Sequence, residues 1–250
     1  MTAADETIWD DGRLVRPHDQ PDKARRVREM FDRIAPTYEH VNRWLSAGRD
    51  AYWRRRAVEL TSIRPSDCVL DVACGTGDFA RTFEEAGPKR VVGADFSERM
   101  LALAPGREPD SIDWCRADAL SLPFSDASYS VVSCAFGVRN FQDPAAGLRE
   151  MHRILRPGGR VVILEFSTPR SGPAASLYSF YFHRVLPKAA RWISGDRSGA
   201  YDYLPKSVSS FLDAAGMIAS LKSAGFARIE TRPLSFGIVR VFVAVKESRP

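Results

Sequence analysis

The chain has 250 residues, of which 44% are apolar and 27% are charged, proportions that are typical of a globular protein. Its 36 basic and 31 acidic residues give a net charge of +5, and no run approaches the ~18 apolar residues of a membrane span. No basic and apolar leader opens the sequence, so we expect a cytoplasmic protein. The four cysteines form no CxxC pair and no zinc spacing, so we expect no bound metal.

The N-terminal quarter of the sequence predicts helices that follow a loose tail. Residues 1–21 are polar and show no clear period, which is typical of an unpacked segment. At 22–34 apolar side chains recur at helical spacing, and a further helix is predicted at 50–60 with Asp50 as its N-cap. Arginines cluster in both helices, but no aromatic residues are interleaved with them and no RNA-binding module is visible. We therefore expect no nucleic-acid partner.

From Pro65 onward, short apolar strands alternate with helices. The predicted strands lie at 68–72, 90–94, 112–116, 129–136 and 160–166. Two final strands within 228–246 are predicted to form an antiparallel hairpin at the sheet edge. This alternation predicts an α/β fold, with a mostly parallel sheet covered by helices on both faces, in a single domain that spans 22–250.

A glycine turn after the first predicted strand offers a place to bind a ligand. Asp71 lies at the end of the strand, and Gly75, Thr76 and Gly77 lead into the next helix. Bare backbone and free N–H groups at such a turn can face a ligand directly. Asp95 ends the next strand, where its carboxylate can accept hydrogen bonds from two ribose hydroxyls. These positions predict a cofactor that contains adenosine.

The carboxylates of this region favour S-adenosylmethionine over a nicotinamide dinucleotide, whose glycine fingerprint the loop also fits. Asp71 suits a cationic amino group, and Asp118, which precedes Ala119 after the third strand, suits the amino group of adenine. The loop itself carries no arginine that would pair with a phosphate. The alternatives are that Asp71 caps a turn and that Asp118 is a solvated loop residue.

The sequence also resembles a known family. Residues 71–77, Asp-Val-Ala-Cys-Gly-Thr-Gly, are similar to the first motif of class I S-adenosylmethionine-dependent methyltransferases. Three further motifs resemble the menaquinone/ubiquinone biosynthesis C-methyltransferase family, over residues 23–246. They are Tyr38-Glu39-His40-Val41-Asn42 with Ser46 and Trp53, Ala135-Phe136-Gly137-Val138-Arg139-Asn140, and Arg153-Ile154-Leu155-Arg156-Pro157-Gly158-Gly159-Arg160 with Leu164-Glu165-Phe166-Ser167. Glu39, Asp50 and Ala135 depart from the pattern, since the family often has Asp, His and Ser there.

The resemblance implies a class I, Rossmann-like methyltransferase fold with seven strands, N-terminal helices at 22–64 and a helical substrate lid at 170–205. It implies methyl transfer from S-adenosylmethionine to a ring carbon of a reduced prenylated quinol, converting demethylmenaquinol to menaquinol. Three alternatives stay open: methylation of a methoxylated polyprenyl benzoquinol in ubiquinone biosynthesis, methylation of another small lipid, and a cofactor-binding scaffold without activity. The expected partners are a prenylated naphthoquinol and a membrane surface, and a homodimer is left open.

The same resemblance assigns candidate site residues. Arg139 and Asn140 are the predicted catalytic residues, and Asn140 would bind the quinol oxygen. An arginine cannot be a normal base, so Arg139 would orient a water or stabilise the quinolate. The predicted cofactor contacts are Tyr38, Asp71, Gly75, Thr76, Gly77, Asp95, Phe96, Asp118, Ala119 and Ala135. The predicted substrate contacts are Asn42, Phe136, Tyr178 and His183. The alternatives are a solvent loop around Arg139 and simple helix packing for Tyr38 and Asn42.

Overall fold

In a computed structural model, which describes residues 7–104, 111–167, 180–196 and 198–248, seven strands form one sheet. The strands are β1 (Cys68–Val72), β2 (Arg90–Asp95), β3 (Ile112–Arg116), β4 (Tyr129–Ala135), β5 (Leu155–Phe166), β6 (Phe226–Leu234) and β7 (Val239–Lys246). Their order across the sheet is β3-β2-β1-β4-β5-β7-β6. Strands β1 to β5 are paired in parallel, and β7 pairs antiparallel with both β5 and β6. The C-terminal hairpin therefore lies at one edge of the sheet, as predicted.

Helices precede the sheet and connect its strands. They are α1 (Asp11–Leu14), α2 (Lys23–Ile34), α3 (Tyr38–Leu45), α4 (Arg49–Thr61), α5 (Asp78–Glu84), α6 (Glu98–Leu103), α7 (Pro144–Ile154), α8 (Leu186–Ser194), α9 (Ala200–Ser209) and α10 (Ala214–Ser223). Shorter helical turns lie at Val138–Asn140, Tyr181–Val185 and Ser235–Gly237. None of the described helices combines the length and the apolar character needed to cross a bilayer.

The two faces of the sheet bury separate apolar clusters, because successive side chains of a strand point to opposite faces. Val69 and Val131 belong to one cluster, together with residues of α4 and α5. Leu70 and Val132, the next residues along the same strands, belong to the other cluster, together with residues of α7 and α10. Helices therefore cover both faces of the sheet, and the predicted fold class is confirmed.

The N-terminal segment is packed, so the prediction of a loose tail at 1–21 is wrong for its described part. Trp9 is 1% exposed and stacks on Tyr203, with ring centroids 4.4 Å apart. Ile8 and Leu14 are buried in the same cluster. The N–H groups of Ile8 and Trp9 both donate to the carbonyl of Ser198. A few apolar side chains in a polar stretch find their partners only in the tertiary structure, which no local pattern reveals.

Two local boundaries also differ from the prediction. Asp50 is not the N-cap of α4, because the helix begins one residue earlier, after Gly48 in the left-handed conformation with φ 73°. Strand β5 begins at Leu155 rather than at Arg160. The intervening Pro-Gly-Gly run is accommodated by a register shift against β4, which is the behaviour of a bulge rather than of a separate turn.

The carboxyl ends of β1, β2 and β4 meet at one edge of the sheet, beside the point where the strand order reverses between β1 and β4. Ligands of open α/β sheets bind at such a point. Helix α2 lies across this edge, where it packs on α6 and on the helical turn Val138–Asn140. The fold therefore brings the glycine turn, the loop after β4 and the N-terminal helices to one place.

Candidate active site

Two cavities lie at this edge of the sheet and share a wall. The smaller has a volume of about 120 Å³, and we call it the glycine-loop cleft because it follows the turn after β1. Its lining includes Gly75, Asp95, Phe96, Asp118, Ala119 and Ala135. The larger has a volume of about 590 Å³, and we call it the aromatic cavity. Its lining includes Trp53, Phe166, Tyr181, Phe182, Tyr201 and Tyr203. Phe31, Tyr38 and Phe136 line both cavities, so the two spaces meet at these three side chains.

The glycine turn is shaped by two left-handed glycines and one tryptophan. Gly75 and Gly77 have φ angles of 57° and 88°, which residues with a side chain rarely adopt. A Cβ at Gly77 would overlap the ring of Trp114 on β3. The N–H of Gly75 donates to Oδ2 of Asp95 at 2.8 Å. The neighbouring strands β2 and β3 therefore fix the loop as firmly as its own glycines do.

Asp95 holds the loop and still faces the glycine-loop cleft. Its second oxygen, Oδ1, accepts a hydrogen bond from the N–H of Ser97 at 2.7 Å. Burial raises the pKa of Asp95, although the N–H groups of Ser97 and Gly75 favour its ionised form. Each oxygen accepts one of these backbone hydrogen bonds and keeps a further lone pair, so the carboxylate can also accept hydrogen bonds from hydroxyl groups of a ligand.

Asp71 is buried at the end of β1, behind the glycine turn. Its Oδ1 accepts a hydrogen bond from the Ser133 hydroxyl at 2.6 Å. Within the described parts of the chain, its Oδ2 has no hydrogen-bond partner. Burial raises the pKa of Asp71 to about 7, although the Ser133 hydroxyl lowers it. A buried carboxylate oxygen without a partner is costly, so a cationic ligand group beside it would be stabilised.

Seven of the ten predicted cofactor contacts line the glycine-loop cleft: Tyr38, Gly75, Asp95, Phe96, Asp118, Ala119 and Ala135. Asp71, Thr76 and Gly77 lie behind its wall. Thr76 is buried, and its carbonyl accepts a hydrogen bond from Nη2 of Arg81 at 2.7 Å. Direct contact of these three residues with a ligand stays a prediction, and in this structure they support the loop.

The loop after β4 carries Arg139 in a buried ion pair. Nη1 of Arg139 lies 2.6 Å from Oε1 of Glu165, at the end of β5, and 2.6 Å from the carbonyl oxygen of Phe136. Nε of Arg139 has no hydrogen-bond partner within the described residues. Phe136 has a φ of 56°, a left-handed conformation that is strained for an aromatic residue and is typical of functional sites. The guanidinium is therefore fixed on one edge and has a donor left over.

Asn140 and Arg139 face different cavities. Asn140 lines the glycine-loop cleft, whereas Arg139 lines the aromatic cavity. The hydroxyl of Tyr203 donates to Oδ1 of Asn140 at 3.0 Å, and Nδ2 of Asn140 donates to the carbonyl of Phe136 at 3.2 Å. These two hydrogen bonds fix the amide orientation, and the side chains of both predicted catalytic residues donate to the carbonyl oxygen of Phe136.

The aromatic cavity is built from a chain of rings. Phe136 and Phe166 have centroids 4.6 Å apart, and Trp53 packs edge-on against them at 6.2 and 6.3 Å. Phe182 continues the row at 6.0 Å from Phe166. Asn42, a predicted substrate contact, also lines this cavity. A flat aromatic ligand would find stacking and edge contacts on several sides.

The structure describes the other predicted substrate contacts only in part. Phe136 lines both cavities, as described above. Tyr178 lies outside the described residues. His183 belongs to the helical turn Tyr181–Val185, but its side chain is not among the described ones. The roles of Tyr178 and His183 therefore stay predictions.

A polar network closes the side of the aromatic cavity near the glycine turn. Arg54 pairs with Asp50 at 2.8 Å and with Asp78, the first residue of α5, at 3.1 Å. Burial alone would raise the pKa of Asp50, but the Ser46 hydroxyl and the Arg54 guanidinium lower it. Arg54 thus joins α4 to the helix that follows the glycine turn, and Asp50, wrongly predicted to be an N-cap, holds Arg54 in place.

Sequence reasoning missed Glu165 and Arg28. Glu165 lies within a motif of the family resemblance, but only the pairing of β4 with β5 brings it beside the loop that carries Arg139. A carboxylate that closes an apolar strand is the signal that points to it. Arg28 lines the glycine-loop cleft, with its guanidinium 5.4 Å from the centroid of the Phe96 ring. Arg28 directly follows Val27, one of the apolar residues that recur at helical spacing in α2. No sequence signal distinguishes Arg28 from the other arginines of this helix.

Comparison with known proteins agrees with this geometry. The profile of the ubiE/COQ5 methyltransferase family matches residues 19–246. The chain belongs to this family. A demethylmenaquinone methyltransferase of Deinococcus radiodurans is 45% identical over 232 residues, 91% of this chain and 95% of that protein. A ubiquinone/menaquinone biosynthesis C-methyltransferase of Geobacter sulfurreducens is 44% identical over 90% of each chain. A solved S-adenosylmethionine-dependent methyltransferase of Thermotoga maritima has a TM-score of 0.64 at 20% identity, covering 88% of this chain and all of that one, so it shares the fold.

Family membership settles the general chemistry. The chain is an S-adenosylmethionine-dependent C-methyltransferase, and S-adenosylmethionine is its cofactor, as predicted. The residues present fit this group. Asp95 lines the glycine-loop cleft and has free lone pairs of the kind that ribose hydroxyls need, and the buried Asp71 oxygen without a partner has the charge that suits a cationic amino group. Direct contact of either residue with the cofactor stays a prediction.

Proposed function

We propose that this methyltransferase methylates a ring carbon of demethylmenaquinol, which gives menaquinol. The observation that carries the proposal is the meeting of the two cavities at Phe31, Tyr38 and Phe136. One cavity carries the groups that suit adenosine, and the other is apolar, aromatic and large enough for a bicyclic ring. The names of the relatives, at 39–45% identity, support the same acceptor.

The aromatic cavity fits a quinol that carries a prenyl chain. Its inner part has the rings of Trp53, Phe136 and Phe166, on which a naphthoquinol can pack. Its outer part is lined by Phe236, which is 90% exposed, and by Tyr52. An apolar chain attached to the ring can therefore leave the cavity along exposed aromatic surface. The described part of the predicted lid, residues 180–196 and 198–205, lines the same cavity, and its closure over the substrate belongs to this proposal.

The chain's own residues activate and orient the quinol. When bound, the cofactor would supply an electrophilic methyl group, whose bond to sulfur breaks as the bond to the ring carbon forms. The neutral thioether leaves, and the proton lost by the ring carbon passes to solvent. A quinol carbon becomes a better nucleophile when the neighbouring hydroxyl is ionised. Arg139 lines the aromatic cavity, where the positive charge of its guanidinium can stabilise the resulting oxyanion. Glu165 keeps the guanidinium in place, and the surrounding rings exclude water from the charge.

The test is methyl transfer in vitro with labelled S-adenosylmethionine and mass spectrometry of the products. Reduced demethylmenaquinol, its oxidised form and the corresponding prenylated benzoquinol are supplied separately. Labelling of the reduced naphthoquinol alone is expected. Labelling of the benzoquinol alone would move the protein to ubiquinone biosynthesis. If none of them is labelled while the cofactor still binds, the proposed acceptor is wrong.

A variant separates catalysis from a scaffold role. Arg139→Met removes the guanidinium and is expected to abolish transfer while the glycine-loop cleft still binds the cofactor. Arg56→Met, which removes an exposed partner of Glu59, is the matched control and is expected to keep full activity. If the Arg139→Met variant supports menaquinone formation in cells as well as the unchanged chain does, the protein acts as a scaffold.

We also propose that the mouth of the aromatic cavity contacts the cytoplasmic face of a membrane. Trp192 is 87% exposed, and Trp44 is 75% exposed. Helix α3, which carries Trp44, packs on α8, which carries Trp192, and Phe236 lines the cavity itself. Exposed basic residues lie on the same helices or beside them: Arg43, Arg49, Lys188 and Arg191. Exposed aromatic rings among basic side chains favour an anionic lipid surface.

Sedimentation with vesicles tests this contact. Vesicles that contain phosphatidylglycerol are expected to carry the protein down at low salt, and high salt is expected to weaken the binding. The double variant Trp44→Ser, Trp192→Ser is expected to bind more weakly, with unchanged turnover of a short-chain quinol. A lack of binding at low salt would contradict the proposal. A homodimer stays a prediction, which sedimentation equilibrium would measure.

A further inference from the structure

A buried lysine contacts the loop that carries the proposed catalytic residues. Lys23, the first residue of α2, is 1% exposed, and its Nζ donates to the carbonyl oxygen of Phe141 at 2.5 Å. Phe141 directly follows the turn Val138–Asn140. Burial and, to a smaller extent, the positive charge of Arg139 lower the pKa of Lys23 to about 8, whereas Asp19 favours the protonated form. A buried ammonium group is costly, so overall stability gives no reason for a lysine here.

A glutamine makes a second link at the same place. Oε1 of Gln142 accepts a hydrogen bond from the N–H of Ala24 at 2.8 Å. Its Nε2 donates to the carbonyl of Gln20 at 3.0 Å. Together with the lysine, these contacts make three hydrogen bonds between residues 20–24 and residues 141–142. The start of α2 is thereby attached to the residues that end the catalytic loop.

A third link reaches Asn140 from the other side. Trp9 stacks on Tyr203, and the hydroxyl of Tyr203 donates to Oδ1 of Asn140. The same helix, α9, is held to the N-terminal segment by His18, whose Nε2 lies 2.8 Å from the carbonyl of Ser207. The segment before α2 therefore supports the residue that orients the Asn140 amide.

We propose that residues 7–24, which we call the N-terminal brace, hold the turn Val138–Asn140 in its working position, with Lys23 as the principal positioning residue. The proposal rests on the proposed function, because that function assigns Arg139 and Asn140 their roles. Lys23 lines neither cavity, so it acts through the loop and not by touching a ligand.

The brace acts on alignment more than on binding. Methyl transfer needs the acceptor and the reacting groups in a narrow range of geometry, and a displacement of about 1 Å can cost about 100-fold in rate. The glycine turn and Asp95 are held by β2 and β3, which make none of the hydrogen bonds of the brace. Asn140, Phe141 and Gln142 also line the glycine-loop cleft, so loosening the brace is expected to weaken cofactor binding slightly and to lower kcat much more.

The experiment compares Lys23→Met with Lys222→Met, which replaces an exposed lysine on α10, far along the chain from the brace. Methionine keeps much of the length of the side chain but cannot donate to Phe141. For Lys23→Met we expect kcat to fall by about tenfold or more. We also expect the Kd for S-adenosylmethionine to rise by a smaller factor than kcat falls, and an unchanged or raised Tm. Lys222→Met is expected to behave like the unchanged chain in all three measurements. An unchanged kcat in a folded Lys23→Met protein would overturn the proposal.

A second variant covers the case in which Lys23→Met does not fold. Tyr203→Phe keeps the ring that stacks on Trp9 and removes only the hydroxyl that holds Asn140. It is expected to lower kcat in the same way, and a kcat equal to that of the unchanged chain would overturn the proposal for this arm of the brace.

Amide hydrogen exchange tests the brace independently of which acceptor the enzyme methylates. In Lys23→Met, residues 136–142 are expected to exchange faster while the amides of β1 and β4 keep their protection. This result supports the brace even if no quinol is methylated, in which case only the proposed function fails. Unchanged exchange at 136–142 would show that the loop does not depend on Lys23.

Discussion

The guanidinium of Arg139 and the carboxylate of Glu165 lie 2.6 Å apart, and both side chains are more than nine-tenths buried. The pair connects the loop after β4 to the end of β5. Oε1 of Glu165 also accepts a hydrogen bond from the N–H of Phe166 at 2.9 Å, so the carboxylate is itself held in place. Removing one partner of such a pair leaves a buried charge without compensation, which costs about 3–5 kcal/mol.

Replacement of the carboxylate tests this relationship. We expect Glu165→Gln to lower the free energy of unfolding by about 3 kcal/mol. We also expect kcat to fall about 100-fold, because the guanidinium loses its orientation. Denaturant titration and steady-state kinetics measure the two effects. Glu59→Gln removes an exposed pair with Arg56 and is expected to change stability by less than about 1 kcal/mol. Equal losses in the two variants would contradict the assigned role.

The close packing of the glycine turn against the Trp114 ring leads to a second prediction. Gly77→Ala adds a Cβ that overlaps the indole ring, on top of the strain of a left-handed alanine, about 1–2 kcal/mol. Gly87→Ala has a similar φ of 72° but open space around the new Cβ, so it carries only the strain. We expect the stabilisation by S-adenosylmethionine in a thermal melt to be lost in the first variant and kept in the second. Equal cofactor affinity in both would show that the tryptophan does not set the loop.

Asp71 makes the stability of the cofactor-free protein depend on pH. Burial raises its pKa to about 7, above the value of 3.8 in an unfolded chain. Between these values the folded chain holds a proton that the unfolded chain has lost. Its contribution to stability is therefore fully present below about pH 4 and is lost as the pH rises through about 7. Asp71→Asn has no such titration, so we expect its stability relative to the unchanged chain to increase over this range, measured by denaturant unfolding at several pH values.

The same carboxyl group is expected to tune cofactor binding. A cationic amino group favours the ionised form of Asp71, so binding at about pH 6 is expected to release a proton. Calorimetry in two buffers with different ionisation enthalpies counts this proton. Affinity is expected to rise with pH up to about 8 in the unchanged chain and to be flat in Asp71→Asn. A pH-independent affinity in the unchanged chain would remove Asp71 from the cofactor contacts.

A substitution of Trp53 tests the role of the aromatic cavity separately from that of the glycine-loop cleft. Its Nε1 donates to the Ser235 hydroxyl at 2.8 Å, and its ring packs edge-on against Phe136 and Phe166. We expect Trp53→Leu to raise KM for the quinol by about tenfold, through loss of ring contacts worth about 0.5–1.5 kcal/mol each. The Kd for S-adenosylmethionine, measured on the same preparation, is the internal control. A change in that Kd with an unchanged KM for the quinol would reverse the assignment of the two cavities.

The sequence predicted the sheet well because its strands are buried on both faces. Strands such as β1 appear as short apolar runs bounded by turns, and the predicted bounds of β1 agree with the structure. The bounds of β3 also agree, although only Ile112 of that strand is buried. The packed N-terminal segment could not be predicted in this way. Trp9 is stabilised by Tyr203, which lies far along the chain, and apart from Ile8 its near neighbours in sequence are polar. Local patterns carry no information about such a partner.

The residues of the candidate site also fall into those that a local sequence pattern could predict and those that it could not. Gly75 and Asp95 could be predicted because the turn and the strand end that carry them have a local geometry. Glu165 and Lys23 could not be assigned, since each is defined by what it touches, and those contacts join residues 26 and 118 positions apart. The family resemblance supplied Arg139 but not the carboxylate that holds it.

The lysine that contacts Phe141 comes from the first tenth of the chain, whereas Tyr203 comes from its last fifth. Lys23 and Phe141 lie 118 positions apart, farther than any two residues paired in the sheet, and such a contact forms late because a long loop must close first. The loop that carries Arg139 is thus completed only when both ends of the polypeptide have docked. Turnover in a refolding experiment should consequently appear after the sheet has formed, which makes enzymatic activity a reporter of the last step of folding.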